Sequence, residues 1–162
     1  MKSISFLLTF FTLIAMRQEC FATNNPCQLI ALEKVQELFP VVEKMEKKNY
    51  GVNQICNYIN KQEIPVITVS TGSDNISPRT MMSNLGDGYV VQDMPSLGDE
   101  AAMALTLPEP KLGIAGDLVV ELCIRKGDTY LLLAPSGVEI EKSGSLFTSF
   151  LSLARAMLQS IH

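Results

Sequence analysis

From residue 89 to residue 134 the chain runs as four apolar stretches, "YVVQDM", "AAMALTL", "LVVELCI" and "TYLLLA", with no helix-period segment between them. Parallel strands need a long crossover, usually a helix, whereas antiparallel strands are joined by turns. Arg125-Lys126-Gly127-Asp128 between the last two runs is the clearest hairpin signal in the chain. Two further runs, "QICNYI" and "IPVITVS", flank the polar tetrad Asn60-Lys61-Gln62-Glu63 and read as another hairpin, with Pro65 at a strand start where its missing N–H does least harm. Bunched strands rather than alternating strands and helices predict an α+β fold. The expected sheet is antiparallel, of about five to six strands, with an N-terminal and a C-terminal amphipathic helix packed on one face.

The N-terminal helix is read from Asn25-Pro26-Cys27-Gln28, with Asn25 as cap, Pro26 in the first turn and Gln28 three residues on. Leu29, Leu32, Val35 and Leu38-Phe39 recur at helical spacing until Pro40 ends the pattern. Ser77-Pro78 opens a short helix that Gly86 closes. At the other end Phe147, Phe150, Leu151, Ala154, Met157, Leu158 and Ile161 form one apolar stripe, with Ser143 or Ser145 as its cap. "EKMEKK" at residues 43–48 mixes both charge signs and reads as a solvated helix face or loop.

The first residues read as an export signal. Lys2 precedes the uncharged run of residues 4–16, which is too short to span a bilayer, and Cys20-Phe21-Ala22 offers a small-x-small cleavage site. Residues 1–22 are therefore expected to be removed, leaving residues 23–162 as a single domain without an integral membrane span. Arg17, Gln18 and Glu19 before Cys20 do not suit lipidation of that cysteine. The expected location is the periplasm or the extracellular medium, where a pair among Cys27, Cys56 and Cys123 should bridge. Cys27–Cys56 is favoured and Cys56–Cys123 is its rival, because Cys123 sits in an apolar strand where a thiol serves as a small hydrophobe.

Little else looks chemical. The single histidine is the terminal His162, which removes the usual Ser-His-Asp and Cys-His constellations and the histidine zinc sites. No phosphate-loop motif occurs, and a formal net charge of −4 argues against a nucleic-acid partner. Methionines at 45, 81, 82, 94, 103 and 157 show no tight cluster of the kind a Cu(I) carrier needs, and they read as core filling. No cofactor and no metal site are expected. Gly-Asp occurs at 86–87, 98–99, 116–117 and 127–128, each beside a strand end, where Gly supplies positive φ and Asp bonds local amides. The one stretch with two readings is "PSLGDEAAM", residues 95–103. Gly98, Asp99 and Glu100 are either a binding turn or the corner that delivers the chain into its next strand.

Taken together, Cys27-Gln28-Leu29-Ile30, Cys56-Asn57-Tyr58, residues 96–101 ("SLGDEA"), Arg125-Lys126-Gly127-Asp128 and the C-terminal helix resemble a loose group of small exported bacterial domains, mostly lipoproteins, of unknown function. That group carries a helix-capping Thr or Ser where this chain has Ala31, and Gly where it has Ser96. The resemblance implies a Cys27–Cys56 bridge and an α+β fold, and it implies no activity. The expected function is a non-enzymatic binding or interaction module for a protein, peptide or envelope component. The alternative is a small hydrolase or transferase working through carboxylates, with Asp99 and Glu100 first among them.

Overall fold

The expected runs pair into one seven-stranded antiparallel sheet in the computed structural model, which describes residues 25–50, 53–73, 75–114 and 116–161. The expected export signal, residues 1–22, and His162 lie outside the described residues. The strands are β1 (Val42–Tyr50), β2 (Asn53–Asn60), β3 (Pro65–Gly72), β4 (Tyr89–Asp93), β5 (Glu100–Thr106), β6 (Val119–Lys126) and β7 (Thr129–Pro135), in the spatial order β1-β2-β3-β7-β6-β5-β4. The described residues also form three α-helices: α1 (Leu32–Leu38), α2 (Pro78–Ser83) and α3 (Ser145–Gln159). The class is α+β, as expected, but the sheet exceeds the five to six strands read from the sequence.

The extra strand is β1, which contains the "EKMEKK" segment. Only Val42 of its nine residues is buried, so no apolar alternation marks it. It is held by the backbone ladder to β2, from Lys44 opposite Ile59 to Tyr50 opposite Asn53. Side-chain patterning reports burial, and a strand at a sheet edge with both faces wet has none to report.

The helices do not all lie on one face. Period-two alternation sends Met103, Leu105, Leu122, Ile124, Leu131 and Leu133 to one side, where they pack with Val35, Phe150, Leu153 and Met157 of α1 and α3. Ala102, Ala104 and Cys123 point to the other side, against Met82 of α2. Alanines at alternate positions of β5 leave the room that a short helix needs for close approach. The sheet is thus covered by α1 and α3 on one face and by α2 over β4–β6 on the other.

The expected N-terminal helix is broken in two. Asn25 caps a 3-10 turn at Pro26–Gln28, its Oδ1 accepting from Cys27 N–H at 3.2 Å. Ala31 then adopts an extended conformation (φ −68°, ψ 145°) and α1 starts without a side-chain cap. Cys27 is bonded to Cys56 on β2, with Cα atoms 5.1 Å apart. The turn is therefore pinned to the sheet while α1 runs on to meet α3. The rival pairing fails on geometry: Cys56 faces the α1–α3 side and Cys123 the α2 side, where it is a buried free thiol. Neither expected serine caps α3, because Gly144 occupies the N-cap position between them. Ser77 does cap α2, its Oγ accepting from Thr80 N–H at 3.2 Å, and that helix ends at Ser83, short of Gly86.

Three of the four Gly-Asp pairs use glycine at positive φ, at Gly86 (108°), Gly98 (61°) and Gly127 (59°). At 116–117 the roles are exchanged: Asp117 takes φ 62°, while a Cβ on Gly116 would lie 2.9 Å from Pro108.

Candidate functional site

The turn at residues 95–101 is built by three constraints. Leu97 is buried in the main core and anchors the loop from beneath. Ser96 and Gly98 on either side of it both take positive φ, 69° and 61°. Ser96 thus holds a backbone that glycine adopts without steric cost. Gly98 passes so close to β6 that a Cβ there would meet Arg125 O at 2.4 Å.

Asp99 then ties this turn to the neighbouring hairpin. Its N–H donates to Arg125 O at 2.8 Å, and its Oδ2 accepts from Gly127 N–H at 2.7 Å. One residue on, Glu100 lies opposite Arg125 in the ladder, and its Oε1 is 2.8 Å from Arg125 Nη2. Asp99 and Glu100 therefore clamp the β4–β5 turn onto the β6–β7 hairpin. Of the two readings of "PSLGDEAAM", the corner describes what these bonds do.

The same corner forms one wall of an open groove of about 400 Å³, whose other wall is the start of α2. Arg79 and Asp93 both line it and form a direct ion pair, Nη1 to Oδ1 at 2.7 Å, and both are more than half exposed. Pro78, Met94 and Pro95 add apolar surface. Gly98, Asp99 and Glu100, the three residues singled out from the sequence, all line this groove. Arg79 and Asp93 were not foreseen. Only Ser77-Pro78, as a helix start, hinted at a second wall, and nothing in the local pattern said which strand that helix would meet.

A second group of titratable residues lies on the α2 face. The Cys123 thiol is pushed up to about 12, first by burial and then by the nearby Glu121 carboxylate. Its Sγ lies 3.7 Å from Met81 Sδ. Such a thiol stays protonated and is a poor nucleophile. Burial also raises Glu121 above its ordinary value of 4.5. A carboxyl raised by burial leaves the folded state binding more protons than the unfolded one, so folding loses stability as pH rises through that window. Glu121→Gln is accordingly expected to raise the unfolding midpoint at neutral pH. The gain should shrink to nothing below the unfolded carboxyl value, where both chains are uncharged at this position. Thermal melts of variant and parent across pH measure it, and a pH-independent difference would refute the burial argument.

Among the described residues no cluster of three or more His, Cys, Asp or Glu side chains is placed to hold a metal ion. Among them, too, no helix is long and apolar enough to cross a membrane. No family model, curated protein or solved structure matches the chain.

Proposed function

We infer that this chain is an exported, non-enzymatic binding protein of the cell envelope or the surrounding medium, and that its ligand, a protein, peptide or envelope component, seats in the groove between α2 and the turn at residues 95–101. The observation that carries this reading is the occupation of the groove's charged groups. Asp93 is paired with Arg79, Glu100 with Arg125, and Asp99 with a backbone N–H of the next hairpin. A general base needs a carboxylate poised to take a proton from substrate. Carboxylates already engaged by guanidinium groups and a backbone N–H make a pre-shaped rim. Beside Pro78, Met94 and Pro95 that rim suits a short extended segment with polar backbone groups and apolar side chains. Export is supported by the Cys27–Cys56 bridge, which belongs to an oxidising compartment.

The test is capture from envelope extract and culture medium with the purified protein as bait. Arg79→Ala with Asp93→Ala should abolish recovery of the partner while leaving the melting temperature within a degree or two, since both side chains are exposed. A partner recovered equally well by the double variant would place the binding surface elsewhere. The alternative, a carboxylate-dependent hydrolase or transferase, has one observation in its favour: Asp93, Asp99 and Glu100 open onto a single groove. Turnover of a peptide, ester or glycoside probe that disappears in Asp99→Asn would establish it and end the binding-only reading.

A further inference from the structure

An edge strand presents a row of outward N–H and C=O groups, and proteins usually keep such edges short, covered or charged. The two edges of this sheet differ. β4 has five residues and α2 packs beside it. β1 has nine, an edge of about 30 Å, and it is exposed from Glu43 to Tyr50. Its charges can be read as a guard against pairing, and their order says more than that.

When two identical strands pair antiparallel about a two-fold axis, one residue must face its own copy, and residues equidistant from it face each other on the same side of the sheet. If that central residue is charged, it repels itself across the axis. Along the segment Glu43-Lys44-Met45-Glu46-Lys47-Lys48 only Met45 is uncharged. Centring the pair on Met45 sets Lys44 against Glu46 of the second copy, and Glu43 against Lys47, with each pairing occurring twice by symmetry. No like charges meet in this register. Centring on Lys44, Glu46, Lys47 or Lys48 puts a like pair on the axis itself. The regular ladder of β1 from Lys44 to Tyr50 keeps Met45 and the Lys44–Glu46 pairs on undistorted backbone, and the one irregularity falls at Glu43, in the outer charged pair, whose carbonyl also accepts from Gln36 Nε2. Met45 is 41% exposed, which leaves its side chain able to meet its copy.

We propose that β1 is a dimerisation edge: two copies of this chain join antiparallel through it, Met45 facing Met45 on the two-fold axis, into one continuous sheet. Opposite charges flanking a neutral centre favour a second copy in this register over those centred on a charged residue. Lys44, already bonded to Glu63 at 2.7 Å, then lies between two carboxylates, one from each copy.

The experiment is light scattering and sedimentation of the purified, oxidised protein at low ionic strength, with circular dichroism to establish that each variant is folded. The parent should change from monomer to twice that mass as its concentration rises, and salt should weaken the association. Lys44→Glu alone sets Glu against Glu, and Glu46→Lys alone sets Lys against Lys, so each should remain monomeric. An equimolar mixture of the two variants restores every opposite pair and should dimerise. A parent that stays monomeric into the high micromolar range would overturn the proposal and leave the charges as an edge guard. Single variants that dimerise like the parent would assign the dimer to another surface, and a mixture that stays monomeric would overturn the register.

Discussion

Replacing Cys27 and Cys56 together with alanine is expected to cost about 3–4 kcal/mol of folding stability, which for a domain of this size lowers the melting temperature by roughly 10–15 °C. The bridge spans 29 residues of chain, and cross-linking a loop of that length removes a large part of the unfolded ensemble's freedom. The closed loop is not floppy in the folded state. It holds α1 and β1, and Val35, Phe39 and Val42 within it are buried. Opening the bond therefore leaves these contacts in place and acts chiefly on the unfolded chain. Alanine is preferred to serine because Cys56 is fully buried, and a hydroxyl there would need a partner. Urea titration gives the measurement, and reduction of the parent should reproduce most of the loss. A cost below about 1 kcal/mol would mean that the core packing of α1, not the covalent link, holds the N-terminal segment.

The same loop shows where sequence reasoning succeeds and where it stops. Six of the seven strands were legible because apolar residues alternate along them or run continuously between turn residues. β1 was not, since its pairing energy lies in backbone bonds that leave no trace in side-chain type. The apolar positions Leu29, Val35 and Phe39 were read correctly as core, yet the helix joining them was not continuous. A helical stripe reports only which residues are buried, and a 3-10 turn followed by a restart buries the same set. Ala31 at the restart has no side-chain oxygen to announce an N-cap.

The candidate site was half legible for a related reason. Gly98, Asp99 and Glu100 carry a local signal, because glycine beside an acidic residue marks a turn wherever it sits. Arg79 and Asp93 acquire meaning only once α2 lies across β4 and β5, a long-range packing choice. The small alanines of β5 permit that choice without advertising it. Arg125 was visible as a hairpin residue, but beside its ion pair with Glu100 it fixes the turn through its carbonyl, which every residue type possesses.

That dependence on a backbone carbonyl makes Gly98→Ala the sharpest probe of the site. Two costs should add. A left-handed conformation at φ 61° is unfavourable for alanine by about 1–2 kcal/mol. The new Cβ would also stand 2.4 Å from Arg125 O and 2.7 Å from Ile124 Cγ2, so the turn must lift from β6. Lifting stretches both bonds that Asp99 makes to the hairpin, each worth about 1 kcal/mol. The expected total is about 3–4 kcal/mol. Gly127→Ala is the matched control, since Gly127 has nearly the same φ, 59°, and no neighbour within 4 Å of the added carbon. It should lose the conformational part alone, about 1–2 kcal/mol. The excess at Gly98, read from paired denaturation curves, measures how firmly the corner is seated on the adjacent hairpin. If the two alanine variants unfold alike, the corner is not held by its close approach to β6, and the groove it walls has no rigid floor on which to receive a ligand.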